Sequence, residues 1–136
     1  MGWIYFSSPY FYPLFHGGKS YNNNRNNKLK GKFAMRKIIN KKMYDTETAE
    51  WVEEFENTPY KSNYQYYVET LYRKKTGEFF LHGCGNAASK YAEVQADRMR
   101  SPGEKIIPLT EAEAKNWMEQ YGDVDTYIEL FGEVEE

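Results

Sequence analysis

Two groups capable of nucleophilic chemistry stand two residues apart, His82 and Cys84, in the run Phe79-Phe80-Leu81-His82-Gly83-Cys84. In an extended chain, side chains at i and i+2 point to the same side, so an imidazole and a thiol share a face. That is the minimum for a thiol nucleophile with an imidazole base. No third group to orient the base can be named from sequence, and a cysteine among aromatics is commonly inert packing. Zinc needs three or four ligands, and neither CxxC nor HxxxH spacing occurs. Asp123 with Asp125, and Glu53 with Glu54, can be drawn as carboxylate pairs; a helix cap and a solvated face are the simpler readings. No catalytic, cofactor-binding or metal-binding residue is therefore assigned.

Charge offers binding chemistry instead. Arg73-Lys74-Lys75 is a compact basic finger beside Tyr72, able to touch phosphate, though three such contacts make weak and salt-sensitive binding. The C-terminal stretch is the opposite: from Pro108 onward Lys115 is the only base among nine acids. Carboxylates such as Asp123, Asp125 and Glu129 can occupy a basic groove on another protein where phosphates would sit. Residues 35–136 hold 13 bases and 20 acids, a net −7 that opposes approach to a polyanion. The candidate partner-binding residues are thus Arg73, Lys74 and Lys75 at one place and Asp123, Asp125 and Glu129 at another.

The element that positions the first group is a β-hairpin over Tyr66 to Gly85. Two aromatic-rich runs flank Lys74-Lys75-Thr76-Gly77, and Gly77 stands where a type I turn followed by a bulge needs positive φ. That turn fixes the register: Arg73 faces Phe79, Tyr72 faces Phe80, Leu71 faces Leu81 and Thr70 faces His82. One face then carries Val68, Thr70, Tyr72, Phe80, His82 and Cys84, the other Tyr67, Glu69, Leu71, Arg73, Phe79 and Leu81. Both are apolar enough that the hairpin belongs inside a sheet covered on both sides.

The second group rides on helices. Thr110-Glu111-Ala112-Glu113 is a capping box, and Ala114, Trp117, Met118 and Tyr121 follow at helical spacing before Gly122. Asp123 caps a second short helix in which Val124, Tyr127, Ile128 and Phe131 repeat the spacing before Gly132. These aromatic stripes are expected to pack onto the sheet.

The rest of the chain is less sharply marked. Lys37 to Tyr44 has strand character, and Asp45-Thr46-Glu47-Thr48 is a turn. Ala49 to Phe55 reads as the returning strand, with Trp51 and Phe55 on one face; a helix over Thr46 to Glu56 is the competing reading. Asn57 to Asn63 is a polar loop. Asn86 to Ser101 fits helix or strand, Ser101-Pro102-Gly103 reads as a turn, and Glu104 to Leu109 as an edge or terminal strand because of Pro108.

Length and composition bound what is left. The 136 residues allow one domain with a modest core. A mean hydropathy of −0.86, with no apolar run near the ~20 residues a spanning helix needs, points away from a membrane. A single cysteine excludes an internal disulfide and fits a reducing cytoplasm. Residues 1–34 differ from the remainder: seven aromatics in the first 15 positions, an Asn-rich tract, and five bases with no acid. They lack the layout of a signal peptide, and Gly17-Gly18-Lys19-Ser20 lacks the first glycine and the strand–loop–helix setting of a phosphate-binding loop. The expectation is a disordered or mis-annotated extension, with the native product starting at Met35; the alternative is a basic, aromatic arm that touches nucleic acid.

Residues 35–136 resemble a group of small accessory proteins of phages and conjugative elements of gut anaerobic bacteria. The resembling segments are Met43 to Ala49, Glu69 to Glu78, Ser89 to Glu93 and Gly103 to Thr110, about a third of the domain. The resemblance implies a setting, mobile DNA, in which small non-enzymatic proteins often inhibit host defences such as CRISPR nucleases. It carries no site residues. The sequence thus leads to an α+β fold, an antiparallel sheet of four or five short strands with two C-terminal helices on one face. The expected function is a cytoplasmic, non-catalytic protein-binding accessory protein of anti-CRISPR type, without cofactor. A nucleic-acid-associated regulator using the basic tip is the alternative, and a small Cys-dependent enzyme the third.

Overall fold

A computed structural model describes residues 34–132 together with 134 and 135. The expectations for residues 1–34 lie, Ala34 apart, outside the described residues. The strands are β1 (Arg36–Ile39), β2 (Lys42–Asp45), β3 (Glu50–Glu56), β4 (Tyr67–Arg73), β5 (Phe79–Gly85), β6 (Glu93–Val94), β7 (Arg100–Ser101) and β8 (Gly103–Leu109); the helices are α1 (Glu111–Tyr121) and α2 (Val124–Phe131). An antiparallel four-stranded sheet in the order β3-β4-β5-β8 forms the body, with β1–β2 and β6–β7 as separate two-stranded ribbons. The fold is α+β.

The central hairpin has the register its turn demands, with Arg73 opposite Phe79 and Thr70 opposite His82. Gly77 sits at φ 93°, its N–H donating to the Lys74 carbonyl at 2.8 Å, while the Lys74 N–H donates to the Glu78 carbonyl at 2.7 Å. Both faces are covered. On one, Leu71, Phe79, Leu81 and Val52 pack against Ala114, Trp117 and Met118 of α1, with Tyr127, Leu130 and Phe131 of α2 at the margin. On the other, Tyr44 of β2 packs on Phe80 and Ile106, and Tyr66 closes over Val68 and Cys84. β8 is an edge strand, as Pro108 requires: the missing N–H would otherwise leave a gap in a ladder. The capping box of α1 is complete, with the Glu113 N–H donating to Thr110 Oγ1 at 3.1 Å and the Thr110 N–H to Glu113 Oε1 at 2.9 Å.

Several expectations give way. Residues 37–44 do not form one strand; they fold back on themselves as β1–β2, because Asn40 and Lys41 both take positive φ, 51° and 68°. That is the type I′ turn whose twist suits a tight hairpin. β3 is a strand, not a helix, but it pairs with β4 rather than returning along residues 37–44. A bulge at Val52 shifts its register, so Trp51 lies opposite Tyr72 and Phe55 opposite Glu69, on opposite faces. Residues 86–101 are neither a helix nor one strand, but a turn-rich segment leading into the β6–β7 ribbon. Pro102 is a single residue between β7 and β8 and forms no turn there. In α2, Val124 is exposed and Leu130 takes its expected place against the core.

Candidate functional site

The hairpin tip presents its three cations in different ways. Arg73 Nη2 lies 2.9 Å from Glu50 Oε2 on the neighbouring strand. Lys74 leans to the other face, 3.1 Å from Glu78 Oε2 and 4.4 Å above the Tyr44 ring. Lys42 reaches Glu78 Oε1 at 2.8 Å, and the hydrogen bonds from Lys42 and Lys74 hold the Glu78 carboxyl below the usual range. Lys75 has no ion-pair partner among the described residues. So two of the three charges in the finger are already compensated, and the tip is far less cationic than its sequence.

Arg73 and Lys75 nonetheless meet at an open cleft of about 560 Å³, whose other walls are Glu47, Thr48, Ala49 and Glu50. The turn before β3 is built rigidly by Asp45. Its carboxylate receives the Glu47 N–H at 2.8 Å and Arg36 Nε at 2.9 Å, and its carbonyl receives the Ala49 N–H at 3.1 Å. The cleft wall contributed by residues 47–50 was absent from the candidate residues read in sequence; the Asp-x-x-Thr turn was visible there, its position beside the tip was not. Two acids and two bases line the cleft, a balance that suits the mixed charges of a protein surface better than a run of phosphates.

The acidic group divides. Asp123 is the N-cap of α2, with its Oδ2 accepting from the Thr126 N–H at 3.3 Å. Asp125 and Glu129 are exposed, one turn apart on the same helix face, and form a short acidic ridge. Glu53 and Glu54 are not a pair: the ladder sets Glu53 opposite Leu71 and Glu54 opposite Thr70, on the two faces of the sheet.

His82 and Cys84 do share a face, and the structure supplies the orienting group that the sequence did not name. Glu104 Oε2 lies 2.9 Å from His82 Nε2, carried on β8 as the cross-strand neighbour of Cys84. Access is the obstacle. Cys84 is fully buried with Tyr66 and Val68, and the His82 ring is buried as well, so no substrate atom reaches the sulfur. Among the described residues no group of three or more His, Cys, Asp or Glu side chains is arranged to hold a metal ion.

A second feature missing from the sequence reading is the buried carboxylate of Glu69. It accepts from Tyr91 Oη at 2.7 Å and Trp117 Nε1 at 2.8 Å, and pairs with Lys90. Burial pushes its pKa upward, but the bonds from Lys90, Trp117 and Tyr91 outweigh that and hold it below the usual value. Burial, with the same carboxylate adding to it, pushes the Tyr91 hydroxyl well above the normal phenol range. Its role is to tie α1 and the 86–92 segment to β4. A glutamate between Tyr67 and Leu71, on the face that also carries Phe79 and Leu81, was the available signal. No family model matches the chain, and neither a curated protein nor a solved structure does. No helix among the described residues is long and apolar enough to cross a membrane.

Proposed function

We propose that the chain is a non-catalytic binding protein that acts by contact with another protein, in the cytoplasm, as an accessory of a mobile genetic element. Inhibition of a host defence nuclease, in the manner of an anti-CRISPR protein, is the specific form of the proposal. The observation that carries it is the charge balance at the tip. Arg73 and Lys74 are spent on Glu50 and Glu78, and the adjoining cleft is lined by Glu47 and Glu50 as well as by Arg73 and Lys75. Such a surface complements a polar protein patch, while the net −7 of residues 35–136 resists nucleic acid. The burial of Cys84 and His82 supports the same reading, since it removes this nucleophile–base pair from contact with substrate. The setting in mobile DNA rests on the resemblance of the four segments named above.

The test is inhibition of DNA cleavage by CRISPR nucleases purified from a bacterial host of such elements. Cleavage is expected to fall as the protein approaches one equivalent, and Arg73→Ala with Lys75→Ala to relieve the block. Asp125→Asn with Glu129→Gln reports on the acidic ridge. Unimpaired cleavage together with retardation of an oligonucleotide, lost on replacing Arg73, Lys74 and Lys75 by Ala, would transfer the reading to the nucleic-acid regulator.

A further inference from the structure

At the end of the central hairpin away from the tip, the chain presents two tyrosines to solvent, Tyr60 at 70 % and Tyr64 at 76 % exposure. They belong to the segment Asn57-Thr58-Pro59-Tyr60-Lys61-Ser62-Asn63-Tyr64-Gln65, whose Tyr, Ser and Asn content is that of an antibody paratope loop. In such loops Tyr offers large, stiff contact area at low entropic cost, and Ser and Asn adapt their hydrogen bonds. Val94 on β6 and Met99 in the turn between β6 and β7 are also largely exposed at this end of the sheet.

These loops are held in place before any partner arrives. Asn86 Nδ2 donates to the carbonyls of Lys61 at 2.9 Å and Asn63 at 2.8 Å, and the Ala88 N–H donates to the Tyr64 carbonyl at 2.8 Å. Asn57 clamps the far side, donating to the Gln65 carbonyl at 2.9 Å and accepting from the Tyr67 N–H at 2.8 Å. Arg100 fastens the ribbon through the carbonyls of Ala87 at 2.9 Å and Ser89 at 3.2 Å. Residues 57–65 and the ribbon are therefore held in order at this end of the sheet, which lowers the entropic cost of binding.

Charge selects the occupant. Lys61 is spent on Glu56 and Lys90 on Glu69, and residues 93–101 carry two bases, Arg98 and Arg100, and two acids, Glu93 and Asp97, for no net charge. The surface is neutral, so it offers a polyanion nothing, and aliphatic Val94 and Met99 do not stack on bases. We infer that this end, centred on Tyr60 and Tyr64, is a docking surface for an uncharged, partly apolar patch on a folded partner protein. The inference rests on the protein-binding reading above and adds to it a second surface with a stated chemistry.

The test places a photo-crosslinking benzoylphenylalanine at position 60, 64 or 99, or at position 75 on the tip, in the full chain expressed in a host of such elements. The same protein is expected to be captured from 60, 64 and 99. Once purified, it should bind Tyr60→Ala and Tyr64→Ala about tenfold or more weakly than wild type, with urea midpoints unchanged because both side chains are exposed. Capture from position 75 alone overturns this inference and leaves the protein-binding reading standing. Capture of nucleic acid, or no capture at any position, overturns both. Self-capture, or a captured protein that binds the two variants as tightly as wild type, overturns the assignment of this surface to a partner.

Discussion

Glu69 and Cys84 mark the two fates of a reactive side chain buried in this sheet. Glu69 is charged and saturated by Tyr91, Trp117 and Lys90. Glu69→Ala orphans the indole N–H and the phenol together, so a loss of about 3–5 kcal/mol is expected in urea unfolding. Its pKa is lower in the folded chain than the ordinary 4.5, so the folded protein binds fewer protons than the unfolded one in that range. Its contribution is whole above pH 4.5 and is lost as the pH falls through the folded value. Glu69→Gln, which keeps the shape and one acceptor, should lose less at neutral pH and flatten the decline below pH 4.5; equal slopes for the two proteins would argue against the buried charge. Cys84 is sealed under Tyr66, beside Val68. A thiol reagent such as dithionitrobenzoate should label it only at the rate of unfolding, and Cys84→Ser should leave partner binding intact. Fast labelling of folded protein would reopen the enzyme reading.

Two glycines of the central hairpin serve different physical needs, and the difference is measurable. Gly77 has open space where a Cβ would go but a φ of 93°, so Gly77→Ala meets only backbone strain, about 1 kcal/mol. A Cβ on Gly83 would run into the Tyr91 ring, displacing it from Glu69. Gly83→Ala is expected to cost about 3 kcal/mol in urea unfolding, through overpacking and a broken buried bond; a cost no larger than that of Gly77→Ala would mean the 86–92 segment yields easily. The same contrast explains what could be read from sequence. The β4–β5 register was legible because one glycine at a local turn determines it, and the α1 cap because Thr110 and Glu113 are three residues apart. The β1–β2 hairpin was not, since Asn40-Lys41 adopts positive φ without the glycine that usually announces it. Residues 86–101 were opaque because Asn86 and Tyr91 hold them through bonds to distant chain, and Ser89 and Arg100 through bonds within the segment, which leaves no periodicity. Of the candidate site, Arg73 and Lys75 were legible as a basic tip, but the compensation of Arg73 by Glu50 depends on β3 pairing with β4, which sequence had assigned to a different neighbour.

The two candidate surfaces lie at opposite ends of seven-residue strands, roughly 23 Å apart at about 3.3 Å per residue. The sheet between them is packed on both faces, so it behaves as a rigid spacer rather than a relay. A partner gripping both ends would gain from each independently, since sites this far apart with no shared contacts add to within about 0.5 kcal/mol. Tyr64→Ala and Arg73→Ala should therefore weaken such a partner by amounts whose product equals the effect of the double variant, measured by calorimetric titration. If instead each end serves a different partner, Tyr64→Ala will leave nuclease inhibition untouched while Arg73→Ala reduces it. The spacer also has a stability signature. Leu71→Asp or Leu81→Asp places a carboxylate in the sheet–helix core and is expected to abolish cooperative folding and both binding activities at once. Retention of either activity in a Leu71→Asp protein would show that one end folds without the other, and the additivity argument would then fail with it.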